Sequence, residues 1–177
     1  AEEAQGIVLG HGLAPDTQMG PLVSDVQLAR VAGLVDSGKQ QGATVVCGGE
    51  RPGGDLAAGY FMQPTVFADV KDDMRIAREE IFGPVLSVFS FEEEDEVVAR
   101  ANASRYGLVA ALWTNDLKRA HRVAAQLEAG TVWVNAYNVL DPTTPFGGYK
   151  DSGVGRDLGL EAMHSYTQTK SVWVNLD

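Results

Sequence analysis

Short apolar runs alternate with amphipathic stretches along most of the chain, and this alternation restricts the possible folds more than any other feature. Residues 85–91, 107–113 and 131–135 are mostly apolar, and each run is short enough to be a strand. Between them, residues 92–103 and 117–127 repeat apolar side chains at helical spacing. Apolar strands that alternate with helices are typical of a parallel sheet covered by helices. The sequence therefore predicts an α/β fold with a mainly parallel, helix-covered sheet.

The first part of the chain contains elements of the same kinds. Ser24-x-x-Gln27 fits a capping box, in which Ser24 accepts from a free N–H and the Gln27 side chain reaches back. A helix is therefore predicted to begin at this point. Residues 43–47 form a β-branched run that predicts a strand. Residues 60–70 form a second extended stretch, which Pro64 restricts to a sheet edge or a bulge.

The last forty residues depart from the alternation. Residues 136–160 are a long irregular segment, and such a segment in a compact domain is often a binding loop. A short helix is predicted at 160–165. After it, residues 166–176 end with Val172, Val174 and Leu176 at every second position, which predicts a C-terminal strand extension outside the main sheet.

Composition excludes several classes of function. The formal charge of −10 and the lack of a Lys/Arg run argue against a nucleic-acid partner. No apolar run approaches the roughly 20 residues that cross a bilayer, so no membrane partner is expected. The single cysteine cannot form an internal disulfide, and the simplest compartment is the cytoplasm. The chain opens at Ala1 without an initiator methionine, which suggests a fragment.

A bend precedes the apolar run at 85–91. Two adjacent carboxylates, Glu79 and Glu80, are followed by Phe82 and a Gly-Pro break at 83–84. An ionised carboxylate offers two acceptor oxygens and no donor, which suits a vicinal diol such as a ribose, and Phe82 would supply a flat apolar wall. The alternative is a solvated acidic turn with one core phenylalanine, and adjacent glutamates are more often solvated.

Other candidate sites are weaker. Cys47 ends an apolar run with no basic neighbour to lower its pKa, so we expect a buried structural cysteine. His11, His121 and His164 are scattered without metal-ligand spacing, and no metal is predicted. The glycines at 153–159 do not fit the dinucleotide fingerprint, because the third is one position late. Composition and spacing alone therefore do not reach a reaction.

Several motifs resemble the aldehyde dehydrogenase superfamily. The segment 79–85 reads EEIFGPV and is similar to its E-x-F-G-P element. The segment 145–156 reads PFGGYKDSGVGR and is similar to its P-F-G-G-x-K-x-S-G-x-G-R loop. Three further blocks match in order: TQMGPL at 17–22, GYFMQPTV at 59–66 and AGTVWVN at 129–135. The resemblance covers essentially the whole chain, but only the later part of a family member.

This resemblance implies NAD- or NADP-dependent oxidation of an aldehyde to a carboxylic acid. In the family, a cysteine thiolate attacks the aldehyde, hydride passes to the nicotinamide, and water hydrolyses the thioester. By resemblance, Glu80 holds the nicotinamide ribose hydroxyls and Phe82 lies against that end of the cofactor. Gln27 and Arg30 align with helix positions that approach the cofactor in some members.

The resemblance also assigns a substrate region and an assembly region. Leu140 and Phe146 fall where the family lines its tunnel for a small-molecule aldehyde. Residues 166–177 resemble the strand that pairs with a neighbouring subunit, which implies a homo-oligomer, either a dimer or a tetramer. Residues 1–165 would then be a partial catalytic domain.

Three parts of the family pattern have no counterpart in this chain. These are the nucleophile in its Gly-x-Cys motif, the general-base glutamate and the Rossmann domain. Cys47 corresponds to a structural position, so no catalytic residue is expected in this chain. We therefore expect a C-terminal fragment that is inactive alone. The alternatives are a truncated interaction module and the reductive branch of the superfamily, which acts on acyl phosphates or acyl-CoA. Glu80 and Phe82 favour the fragment, since an interaction module needs no ribose carboxylate.

Overall fold

Six α-helices and seven β-strands make up the computed structural model, which describes residues 1–177. The elements are α1 (Glu2–Gln5), α2 (Asp25–Gln40), β1 (Thr44–Cys47), β2 (Thr65–Ala68), α3 (Arg75–Arg78), β3 (Val85–Ser87), α4 (Glu94–Asn102), β4 (Tyr106–Gly107), β5 (Val109–Leu112), α5 (Leu117–Gln126), β6 (Thr131–Val134), β7 (Tyr149–Lys150) and α6 (Ala162–Ser165). The chain divides into two compact units, Ala1–Phe91 and Glu92–Asp177. None of the helices combines the length and the apolar character that crossing a membrane requires.

The first unit contains a three-stranded sheet in the order β1-β2-β3. Strands β1 and β2 are antiparallel, whereas β2 and β3 are parallel, with Thr65 opposite Val85. Helix α2 buries one face in the core of this unit, and Val31 on that face is fully buried. The core is completed by side chains from the sheet and from the segments around it: Ala43, Met62, Phe67, Val70, Met74, Ile76 and Ile81.

Helix α2 begins as predicted, with one difference. The Ser24 hydroxyl oxygen accepts a hydrogen bond from the Gln27 backbone N–H at 3.2 Å, which confirms Ser24 as the N-cap. The side chain of Gln27 does not reach back to Ser24. It donates instead to carbonyl oxygens of the bend after α3, because those acceptors lie within its reach.

The second unit contains two small sheets. Strands β5 and β6 are parallel over four residue pairs, from Val109 opposite Thr131 to Leu112 opposite Val134. Helix α5 connects them, so β5-α5-β6 is a βαβ unit of the predicted kind. The Asp116 carboxylate caps α5 by accepting from two backbone N–H groups. Strands β4 and β7 form a separate antiparallel pair.

The α/β class is confirmed, and the sheets are smaller and more mixed than predicted. Two strand pairs are parallel and two are antiparallel. The predicted run 107–113 is divided at Leu108 into β4 and β5, and the run 85–91 keeps its ladder only as far as Ser87. Residues 166–177 pair with no strand of this chain, so their pairing with a neighbouring subunit stays a prediction.

Candidate functional site

The bend between α3 and β3 is the centre of the candidate site. Helix α3 closes with a bond from the Glu79 N–H to the Arg75 carbonyl oxygen at 2.8 Å. Ile81 is buried in the core, which fixes the middle of the bend. Beyond it, the Thr65 N–H donates to the Pro84 carbonyl oxygen at 2.8 Å and joins the bend to β2. The bend is therefore anchored at its start, middle and end.

The two adjacent glutamates lie in different surroundings. The Glu79 carboxylate accepts from Nε and Nη2 of Arg75 at 2.7 and 3.1 Å. The hydrogen bond from Arg75 lowers the pKa of the Glu79 carboxyl below its ordinary value. The Glu80 side chain is exposed and makes no hydrogen bond or ion pair. The nearby Arg30 donates to the backbone carbonyl oxygen of Glu80 and not to its carboxylate. Of the pair, only Glu80 keeps its acceptor oxygens available for a ligand.

Phe82 has an unusual backbone conformation and an exposed ring. Its φ is +54°, in the left-handed region that bulky side chains rarely adopt. Its relative exposure is 73%, so the alternative of a core phenylalanine is wrong. A strained residue that displays an apolar ring to solvent is the kind of outlier that often marks a ligand site.

The side chains of Gln27 and Arg30 reach the same bend from α2. Gln27 Nε2 donates to the Phe82 carbonyl oxygen at 2.9 Å and to the Ile81 carbonyl oxygen at 3.3 Å. Arg30 Nη2 donates to the Glu80 carbonyl oxygen at 2.9 Å. The structure thus brings all four predicted cofactor residues together within the first unit.

An open depression of about 470 Å³ adjoins the bend. It is lined by the loop 18–22, by Met62 and by Gly83 and Pro84. The 17–22 block can be recognised in the sequence only as a family motif, and nothing there connects it with the bend. No local pattern could have done so, because the two segments are distant in the chain and meet only in the folded unit.

The predicted substrate residues lie in the second unit, on the irregular loop. Leu140 is half exposed, and its neighbour Val139 accepts a hydrogen bond from Trp133 Nε1 at 2.8 Å. Phe146 is partly buried and exchanges two backbone hydrogen bonds with Asp157, at 2.7 and 2.8 Å. The loop is therefore tied to β6 near Leu140 and to itself at Phe146.

The charged residues of the 145–156 motif are occupied by structural contacts. Lys150 Nζ donates to the carbonyl oxygens of Asn102 and Ser104 at 2.7 and 3.1 Å, and it forms a 2.6 Å ion pair with Glu128. Arg156 Nη1 donates to two carbonyl oxygens of its own loop. These bonds hold the loop against the rest of the second unit and leave Lys150 fully partnered.

Cys47 lies outside the candidate site. Its side chain is buried, and its only polar contact is a weak one at 4.0 Å to the Pro64 carbonyl oxygen. The prediction of a buried cysteine is confirmed. No group of three or more His, Cys, Asp or Glu side chains is placed to hold a metal ion.

Comparison with known proteins agrees with the motifs that surround this bend. A model described as the aldehyde dehydrogenase family matches residues 1–172. The chain belongs to the aldehyde dehydrogenase family. Betaine aldehyde dehydrogenase from Cereibacter sphaeroides (strain ATCC 17025 / ATH 2.4.3) is 53% identical to it over 176 residues. That match covers 99% of this chain and 36% of the relative.

Solved structures of other family members have a closely similar backbone over the part that this chain matches. The NAD⁺ complex of an aldehyde dehydrogenase from Bacillus cereus is 52% identical, with a TM-score of 0.93 over 99% of this chain and 35% of the Bacillus chain. An aldehyde dehydrogenase from Mycobacterium tuberculosis complexed with NAD⁺ is 44% identical, with a TM-score of 0.91 over 99% of this chain and 36% of that one. The chain therefore spans about a third of the length of the relatives that it matches.

Proposed function

We propose that this chain provides the nicotinamide-ribose contact of an NAD(P)-dependent dehydrogenase that oxidises a small aldehyde to a carboxylic acid. The observation that supports this proposal is the available carboxylate of Glu80 beside the exposed ring of Phe82. Family membership supports oxidoreductase chemistry, and two of the similar structures contain NAD⁺. When bound, the cofactor would supply the acceptor for the hydride that leaves the aldehyde.

The residues of the bend fit this part of the cofactor. A carboxylate accepts two O–H donors at once, and the two hydroxyls of a ribose are neighbours on the same ring. Hydrogen bonds to a charged group contribute about 1.5–3 kcal/mol each. The Phe82 ring would cover an apolar part of the ligand and exclude water from one side. Together the two side chains would orient the ring that accepts the hydride.

For the substrate, we propose that Leu140 and Phe146 line the aldehyde site. Both are partly exposed and lie on a loop that several hydrogen bonds fix in place. Such a surface suits a small molecule with an apolar portion. A relative named betaine aldehyde dehydrogenase supports an aldehyde as the substrate class.

We further propose that the 177-residue polypeptide does not oxidise aldehydes by itself. Covalent attack on an aldehyde requires an accessible thiolate, and the single cysteine of the chain is buried. An assay of NADH formation by the purified polypeptide should show no activity above background. Turnover that depends on the polypeptide would contradict this proposal.

Replacement of Glu80 in the full-length dehydrogenase tests the ribose contact. Glu80→Gln keeps the size of the side chain but removes its charge, so we expect kcat to fall about 10- to 100-fold, which corresponds to about 1.5–3 kcal/mol. The KM for the cofactor should change less, because the contact orients the nicotinamide for hydride transfer. Glu79→Gln is the matched control, since Glu79 already bonds to Arg75, and its kinetics should stay near wild type. Equal kinetics in wild type and Glu80→Gln would remove Glu80 from this role.

A further inference from the structure

We infer that Gln27 and Arg30 are positioning residues that hold the bend carrying Glu80 and Phe82. This inference rests on the proposed function of Glu80. The side-chain N–H groups of Gln27 and Arg30 donate to the backbone carbonyl oxygens of three consecutive residues, 80–82. Their role would therefore be to fix the conformation in which Glu80 meets the ribose.

The bend needs support of this kind. A non-glycine residue in the left-handed region costs about 1–2 kcal/mol, and the exposed ring of Phe82 gains little from burial. No backbone N–H donates to the carbonyl oxygens of residues 80–82. Without the side chains from α2, these three carbonyls would have no bond within the protein, and the bend could relax to a more common conformation.

Helix α2 is suited to supply the missing donors. Gln27 and Arg30 are three residues apart, so they project from the same face of the helix. The next residue, Val31, is fully buried and fixes this turn of the helix in the core. Gly83 passes directly against it, because a Cβ at Gly83 would lie 2.6 Å from Val31 Cγ2. Packing and three hydrogen bonds thus hold the bend in a fixed position against one turn of α2.

A double-mutant cycle in the full-length dehydrogenase separates positioning through Glu80 from other effects. Gln27→Ala should lower kcat roughly tenfold in the presence of Glu80, which corresponds to about 1.4 kcal/mol. In the Glu80→Gln background, the same change should lower kcat less than about twofold, because the group to be positioned is already disabled. A general loss of stability would lower kcat by the same factor in both backgrounds, and that result would overturn the inference.

Arg30 provides a second test that does not depend on the Gln27 variant. Arg30→Lys keeps a donor for the Glu80 carbonyl oxygen and should retain most of kcat, whereas Arg30→Met loses the donor and should not. Lys39→Met is the matched control, since Lys39 donates from the same helix to the Gly49 carbonyl oxygen, away from the bend, at 2.6 Å. Its kcat should remain within about twofold of wild type. Equal values of kcat for Arg30→Lys and Arg30→Met would overturn the role of Arg30.

The same measurements distinguish failure of this inference from failure of the proposed function. If Glu80→Gln has wild-type kinetics, Glu80 does not contact the ribose, and both proposals fall together. If Glu80→Gln loses activity while Gln27→Ala and Arg30→Met do not, the ribose contact stands and the positioning role is wrong.

Discussion

Glu79 and Glu80 are adjacent and chemically identical, but their neighbours give them different roles. Glu79 lies one helical turn after Arg75 and forms an ion pair with it, whereas Glu80 lies beyond the end of α3 and projects its carboxylate into solvent. Because Glu79 is the C-cap of α3 and Glu80 lies beyond it, only the Glu80 carboxylate remains available to a ligand. We propose Glu80 as the ribose contact for this reason as well as from its place in the E-x-F-G-P motif.

The ion pair of Glu79 predicts a specific dependence of stability on pH. Because Arg75 lowers the pKa of Glu79 in the folded state, the pair stabilises the fold above the ordinary glutamate pKa of about 4.3. This stabilisation should be lost as the pH falls through the lower, folded-state pKa. Urea unfolding should therefore show wild type and Arg75→Gln converging in free energy of unfolding as the pH falls below the ordinary glutamate pKa. A difference that stays constant with pH would contradict the ion pair.

The bend could be predicted from the sequence, but the roles of its residues could not. The carboxylate pair, the Gly-Pro break and Phe82 between them are visible in the sequence. The choice between a ribose contact and a solvated turn came from family resemblance. The left-handed φ of Phe82 could not be foreseen, because it follows from tertiary packing of the bend against α2.

At the scale of elements, α2 shows what local patterns can predict. Its start at Ser24 follows from a local rule, because the hydroxyl and the free N–H are neighbours in the chain. The side chain of Gln27 does not follow the same rule, since acceptors distant in the sequence compete for it. The prediction of strand direction failed for a similar reason, because the alternation of elements did not reveal that β1 and β7 run antiparallel to their partners.

Two glycines at different places in these elements should respond in opposite ways to alanine. Gly33 is exposed in the interior of α2 with nothing near a new Cβ, so Gly33→Ala should stabilise the fold by about 0.5–1 kcal/mol. Gly130 precedes β6, and a Cβ there would overlap the Gly147 carbonyl oxygen of the 145–156 loop. Gly130→Ala should destabilise the fold by more than about 2 kcal/mol.

Chemical unfolding of the two variants and wild type under one set of conditions measures both effects. Gly33→Ala also serves as the control for the general effect of adding a methyl group. A stability of Gly130→Ala equal to that of wild type would show that the loop does not pack against Gly130.

At the scale of the whole molecule, the end of the chain leaves a large apolar surface uncovered. The relative exposure of Val172, Trp173, Val174 and Leu176 lies between 72% and 95%. Exposed segments of this composition usually mark an interface, and an unpaired extended segment is a template for strand pairing. From this surface and the family resemblance, we propose a homo-oligomer that assembles through residues 166–177.

Removal of residues 166–177 should reduce the oligomeric state of the full-length protein. Analytical ultracentrifugation of the truncated and intact forms measures this directly. The double variant Val172→Ser and Trp173→Ser keeps the length of the segment and should have the same effect, although weaker. An unchanged oligomeric state after truncation would show that assembly uses another surface.

We propose above that the Glu80 carboxylate binds the hydroxyls of the nicotinamide ribose. The most direct measurement is the kcat of wild type and Glu80→Gln with NAD⁺ and with an NAD⁺ analogue that lacks one hydroxyl on that ribose. We expect kcat of wild type to fall about tenfold or more with the analogue and kcat of Glu80→Gln to fall less than about twofold, because Glu80→Gln already lacks the carboxylate that the missing hydroxyl would contact. An equal loss in the two proteins would show that Glu80 and the ribose hydroxyl do not interact.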